Sequence, residues 1–331
     1  MLNCVTIVMY HYVRELPYTR YPRIKGLLAS EFVQQLSFMQ RHYTFVRIED
    51  CLDAIYGGRL LPDNAALLTF DDGYIDHYTT VFPILAEREI QGAFFPPARA
   101  IAEHVVLDVN KIHFVLASAP SDDALLQHVL KMLDEIRPTY GFADNAELYR
   151  KFAHANRFDS AAVIFIKRLL QKGLDDAARS VIIDRLFASY VSDNEATFAR
   201  ELYLNADQLR LMSRAGMWIG SHGHNHAWMA ELPAAQQMAE IDRSLEFLDY
   251  LSVPTMDWVM CYPYGSYSES LIQIIRARGC KLGLTSRVGV ATLNAGNAFT
   301  LERLDTNDLP KLATASPVID PKHFYNLRGN P

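Results

Sequence analysis

The feature that most constrains this chain is a repeated switch of hydrophobic period. Val5 to Tyr10 is a short, apolar and partly β-branched run that reads as a buried strand. Ser30 then stands as an N-cap for a helix carrying Phe32, Leu36 and Met39 on one face. Ala66 to Phe70 is a second apolar run, followed by helical spacing through Tyr78, Val81, Phe82 and Leu85, and Gly92 to Phe95 reads as a third strand. The alternation stops between about His104 and Tyr203. Helical runs such as Leu125 to Ile136 and Ala161 to Leu170 dominate there, punctuated by Pro138, Gly141 and Gly173. Roughly a hundred residues is too long for a plain connection, so this stretch reads as a helical insertion.

The alternation then resumes. Asn205 can cap a helix ending at Gly216, Met217 to Ile219 is a strand, and Ala234 to Leu251 is an amphipathic helix. Trp258 to Cys261 is a strand, Ser268 can cap the next helix, which stops at Gly279, and Lys281 to Thr285 is a further strand. Strands alternating with helices predict an α/β fold with a parallel sheet, of which a closed barrel is one common form. The expected organisation is a barrel from residues 1–103 and 204–331, interrupted by the insertion at 104–203.

Composition narrows the function. Half of the 331 residues are hydrophobic, which supplies a sizeable core. The net charge of -6 and pI near 6.0 give no phosphate-seeking surface, so nucleic acid is not expected as a partner. Cys4, Cys51, Cys261 and Cys280 form no C-x-x-C pair and are expected as buried, reduced thiols. The first apolar run is short and leads directly into His11 and Arg14, unlike a secretory leader. No stretch approaches the ~20 apolar residues of a membrane-spanning helix. A soluble, cytoplasmic protein is therefore expected.

The polar residues that carry chemistry follow strands. Asp71 and Asp72 end one, where buried carboxylates are costly unless paired or metal-bound; a solvated Asp72-Gly73 turn is the competing reading. His222 and His226 are four apart in Ser221-His222-Gly223-His224-Asn225-His226, a spacing at which two imidazoles can converge on one ion. Two His and a carboxylate leave coordination positions open, as catalytic sites require. A surface His cluster is the competing reading. His224 is expected to face solvent or supporting groups.

These motifs together resemble the polysaccharide deacetylase family, with its NodB-homology domain. Thr69-Phe70-Asp71-Asp72-Gly73 matches its first motif, Gly220-Ser221-His222 with His226 the second, and Pro263-Tyr264-Gly265 the third. Tyr10-His11 and the Thr69–Phe95 segment are also similar. The resemblance implies a distorted (β/α) barrel of about seven strands. It implies Asp71 as general base, and Asp72, His222 and His226 as ligands of a divalent metal, usually Zn²⁺. It implies the Tyr264 backbone N–H as an oxyanion donor. Pro263, Tyr264 and Arg303 are the candidate substrate-facing residues.

The expected activity is metal-dependent removal of an N-acetyl group from an acetamido sugar in cell-surface polysaccharide biosynthesis. Nucleotide- or lipid-linked sugars remain open as substrates. A related amidohydrolase acting on a non-sugar amide or cyclic imide, and a non-catalytic carbohydrate-binding relative, are the competing functions.

Two departures stand out. Met260-Cys261-Tyr262 lacks the Arg that many members place before the third motif, and Leu282-Gly283-Leu284-Thr285-Ser286 lacks their late catalytic His. His11 or a protonated Asp71 are then the candidate proton donors. Arg303, in Leu301-Glu302-Arg303-Leu304-Asp305, could replace the missing Arg, although a surface ion pair is the favoured reading of that residue. The insertion could serve as a lid, a homo-oligomer surface or a pocket for a carrier group. Its aromatic residues, including Phe114, Tyr140, Phe142 and Phe165, are expected in its core.

Overall fold

A computed structural model describes residues 3–155 and 159–316. The described chain divides into two compact units. One holds the chain up to Glu15, Gly26–His104 and the chain from Arg200 onward; the other holds Leu16–Lys25 and Val105–Ala199. Residues 317–331 of the expected barrel segment lie outside the described residues.

The first unit is built on nine strands: β1 Cys4–Tyr10, β2 Thr44–Phe45, β3 Ala65–Asp71, β4 Gly92–Phe95, β5 Trp218–Ile219, β6 Val259–Cys261, β7 Leu282–Val288, β8 Ala291–Thr292 and β9 Leu301–Asp305. Seven run parallel in the order β5-β4-β3-β1-β9-β7-β6, with β2 added against β3 and β8 antiparallel to the start of β1. The two ends of that order meet. Ser221, just past β5, forms a parallel bridge with Met260 of β6, through Ser221 N–H to the Val259 carbonyl (3.0 Å) and Cys261 N–H to the Ser221 carbonyl (2.9 Å). The sheet therefore curls into the distorted (β/α) barrel that the alternation predicts.

β3 is buried along its whole length, as a strand covered on both faces must be. Its Phe70 stacks between Tyr10 of β1 (5.1 Å) and Phe94 of β4 (4.8 Å), and Phe32 of the helix Ala29–His42 meets the Tyr10 ring edge-on. This ladder fixes register as well as packing. Tyr10 pairs with Phe70, Phe70 with Phe94 and Phe94 with Ile219, so the residues that follow each of these strands emerge at one level.

Several expected boundaries hold. Asn205 caps the helix Ala206–Arg214 by accepting the Gln208 N–H (2.9 Å), and Ser268 caps Glu269–Ala277 by accepting that of Leu271 (3.3 Å). Others shift. The first long helix starts at Ala29, with Leu28 at its N-cap position, and the Glu31 carboxylate accepts the Leu28 N–H. Ser30 therefore lies in the first turn and does not cap. Cys4 is exposed, whereas Cys51, Cys261 and Cys280 are buried free thiols.

The second unit is helical. Ser121, Asp144, Ser160 and Asp175 each cap a helix. Pro138 does not end its helix, which runs Asp122–Tyr140 and stops on Gly141 at φ 69°. Phe114 and Phe165 are buried, as expected; Tyr140 and Phe142 are only partly so. Lys111 lies buried between Asp184 (2.7 Å) and Glu195 (2.9 Å), which offsets the cost of its charge. No helix of the described residues is long and apolar enough to cross a membrane.

Candidate active site

The carboxyl ends of the barrel strands gather the expected residues. β3 ends at Asp71, and the chain leaves it through two successive left-handed residues, Asp72 (φ 73°) and Gly73 (φ 66°). Glycine is required at 73: a Cβ there would meet the Pro96 Cβ at 2.8 Å. The turn is pinned from both sides. Asp72 N–H donates to the Phe95 carbonyl (3.1 Å), and Leu204 N–H donates to that of Gly73 (2.9 Å). This sharp exit aims adjacent carboxylates at different partners.

Asp72 faces the two histidines. Its Oδ1 lies 3.4 Å from His222 Nε2 and 3.3 Å from His226 Nε2, all deeply buried. Its Oδ2 accepts a 2.5 Å hydrogen bond from Tyr74 Oη. His222 Nδ1 donates to the Cys261 carbonyl (2.7 Å), which leaves Nε2 turned toward Asp72. Asp72 Oδ1 and His226 Nδ1 have no hydrogen-bond partner among the described residues.

An unsatisfied buried carboxylate oxygen facing two ring nitrogens is costly by itself. A cation among the three atoms would remove that cost. Tetrahedral ligands about 2.1 Å from zinc lie about 3.4 Å apart, which matches the observed spacing. The donor set of two imidazoles and one carboxylate also suits zinc. Asp72, His222 and His226 therefore fit a divalent metal.

Asp71 is held differently, and here the favoured reading of Arg303 is corrected. Arg303 is not on the surface. It is 1% exposed, on β9, and binds Asp71 through both ends of its guanidinium, at 2.9 Å to Oδ1 and 2.8 Å to Oδ2. It also donates to the Thr69 hydroxyl (3.1 Å) and the Thr285 carbonyl (2.8 Å), so the guanidinium is engaged by protein groups. Burial raises the Asp71 pKa, but the Arg303 charge and hydrogen bonds outweigh it and hold the carboxyl at about 2. Asp71 is thus an anion throughout the neutral range.

The other expected residues sit around this pair. His11 follows β1, half-buried, close enough for its charge to lower the pKa of both aspartates. Pro263 is buried at the end of β6, and Tyr264 follows it in a left-handed conformation (φ 58°). The Tyr264 ring meets His226 edge-on at 4.6 Å. His224 turns away from Asp72; its Nε2 lies 3.5 Å from Glu103.

Sequence reasoning missed four contributors. Tyr74 fixes Asp72, the Cys261 carbonyl fixes His222, Trp228 stacks on Tyr264, and Glu240 accepts the backbone N–H groups of His224 (3.1 Å) and Asn225 (2.9 Å). Tyr74 and Trp228 lie within two residues of recognised ligands, a proximity that could have flagged them. Nothing local marks Glu240.

Strand order, closure and the strand-end cluster define the class, a distorted (β/α) barrel with its polar groups on the carboxyl side. The sequence profile described as polysaccharide deacetylase matches residues 59–146 and 183–283, more than half of the chain. The chain belongs to that family of hydrolases. It is 41% identical over 64 residues to the poly-beta-1,6-N-acetyl-D-glucosamine N-deacetylase of Escherichia coli (strain K12); that match covers 19% of the chain and only 10% of the relative.

Two solved structures share the fold at low identity. The Streptococcus pyogenes deacetylase PplD, in complex with acetate, superposes with a TM-score of 0.54 at 18% identity, covering 98% of each chain. IcaB from Ammonifex degensii superposes with a TM-score of 0.54 at 19% identity, covering 92% of each.

Proposed function

We propose that this protein removes N-acetyl groups from an acetamido sugar in a metal-dependent hydrolysis, as a step in building a cell-surface polysaccharide. The observation that carries the reading is the split of two adjacent aspartates. Asp72 joins His222 and His226 in a cluster that fits a metal, while Asp71 is clamped as an anion beside it by Arg303. The N-acetylglucosamine polymer named for the Escherichia coli relative supplies the first substrate class to try.

Asp72, His222 and His226 would hold the ion, which would supply Lewis acidity toward water and the amide carbonyl. Asp71 takes the proton of the attacking water, with Arg303 fixing both of its oxygens. The Tyr264 N–H faces the developing oxyanion, a role typically worth about 2.7–4 kcal/mol. The departing amine needs a proton, and His11 is the group we assign to donate it.

Zinc content measured together with acetate release from β-1,6-linked N-acetylglucosamine oligomers tests this. The native chain is expected to bind about one zinc and release acetate, and His226→Ala to lose its metal. Turnover of a cyclic imide, with no acetate from any acetamido sugar, would overturn the sugar assignment. A chain that stays metal-free in excess zinc at neutral pH would overturn the metal assignment.

A further inference from the structure

We infer that Trp228 is a positioning residue for this reaction, clamping the Pro263–Gly265 turn and tying it to the loop that carries His226. The catalytic part of this inference rests on the function proposed above; the clamp itself does not.

The turn is strained where it matters. Tyr264 sits at φ 58°, ψ 9°, a left-handed conformation in a residue with a bulky side chain. Such a conformation is strained and persists only when its surroundings hold it there. The turn's own hydrogen bonds, Gly265 N–H to the Tyr262 carbonyl (2.9 Å) and Ser266 N–H to that of Pro263 (2.9 Å), close the backbone. The indole of Trp228 holds the ring. The two planes lie 4° from parallel with centroids 4.2 Å apart. Aromatic pairs stabilise beyond the area they bury, so the stack opposes the strain.

The clamp joins two functional loops. Trp228 lies two residues beyond His226, itself left-handed at φ 56°. Tyr264 packs edge-on against His226 on one side and flat against Trp228 on the other. A second fastener runs in parallel, from Ala230 N–H to the Ser266 hydroxyl (3.0 Å). From β7, the Ser286 hydroxyl donates to the Tyr264 carbonyl (3.3 Å). The loop carrying a metal-ligand candidate and the turn carrying the oxyanion donor are thus fixed to each other through the indole stack, the His226 ring contact and the Ala230–Ser266 hydrogen bond. A partly buried aromatic beside such a site would ordinarily suggest a sugar platform. Here one face of the indole is already covered by Tyr264.

The test compares Trp228→Ala, Trp228→Leu and Trp228→Phe with the native chain in zinc content, steady-state kinetics and amide hydrogen exchange. Trp228→Ala is expected to keep its zinc and a near-native KM while kcat falls about tenfold to a hundredfold, the loss typical of slight misplacement. Exchange at the Gly265 and Ser266 amides is expected to speed up. Trp228→Phe should restore both, because it returns a ring to the stack, and Trp228→Leu should not. If Trp228→Ala does not fold, the Leu–Phe comparison carries the test. A rise in KM alone would make Trp228 a substrate platform and overturn the proposal. Unchanged kcat and exchange would overturn it as well. A native chain that releases no acetate would remove the proposed function, while the exchange measurement would still decide whether the clamp exists.

Discussion

Asp71→Asn is expected to bind zinc as the native chain does and to lose turnover by about a hundredfold or more, the usual worth of a positioned general base. The amide keeps the shape of the carboxylate, and the Asp72, His222 and His226 donor atoms are untouched. What disappears is the ability to take a proton. Some stability goes too, because Arg303 keeps its charge and loses a full anionic partner in a buried site. Metal content and thermal unfolding therefore need to be measured on the same sample as acetate release. Full activity in a zinc-loaded Asp71→Asn chain would move the base elsewhere.

Arg303→Met is expected to be the most damaging substitution to the fold. It strips the partner from a buried carboxylate, which typically costs about 3–5 kcal/mol, read as a lower urea midpoint. It also reverses the titration of Asp71. In the native chain the carboxyl is held at about 2, below the ordinary value near 3.9. The pair's contribution to stability is therefore complete above about pH 4 and lost as pH falls through about 2. Without the guanidinium, burial is opposed only by the smaller lowering effects of the His222 and His11 charges and raises the pKa, so the acid limb of the pH–rate profile should move upward. Arg303→Lys should rescue poorly, since an ammonium cannot make two parallel bonds to one carboxylate. An unshifted acid limb in Arg303→Met would sink the assignment.

That arginine also shows where sequence reasoning reaches and where it stops. The strands flanking the first motif were legible because Val5–Tyr10 and Ala66–Phe70 are apolar on both faces, as central parallel strands must be. β9 was not. Leu301-Glu302-Arg303-Leu304-Asp305 carries three charges in five residues, which reads as exposed chain. Its burial is made affordable only by Asp71, more than two hundred positions away, so no local window contains the compensating charge. The caps at Asn205 and Ser268 were visible because a cap is a three-residue event. The stack of Trp228 on Tyr264 was not, because each ring alone is an ordinary aromatic. Leu16–Lys25 grouped with the helical unit for a similarly distant reason: Tyr21 packs on Phe114 and Phe198.

The closure of the barrel has a consequence for how the protein reports its own state. Among the described residues a short zipper joins the β5 and β6 ends of the sheet, and its last teeth are Ser221 and Cys261. Ser221 is the residue before one metal-ligand candidate, and the Cys261 carbonyl orients that same imidazole. Whatever gathers Asp72, His222 and His226 also keeps the zipper shut. Zinc loading should slow exchange of the Ser221 and Cys261 amide protons relative to those in β3, and chelation should release them first. Two backbone protons would then serve as a built-in gauge of occupancy, readable without substrate.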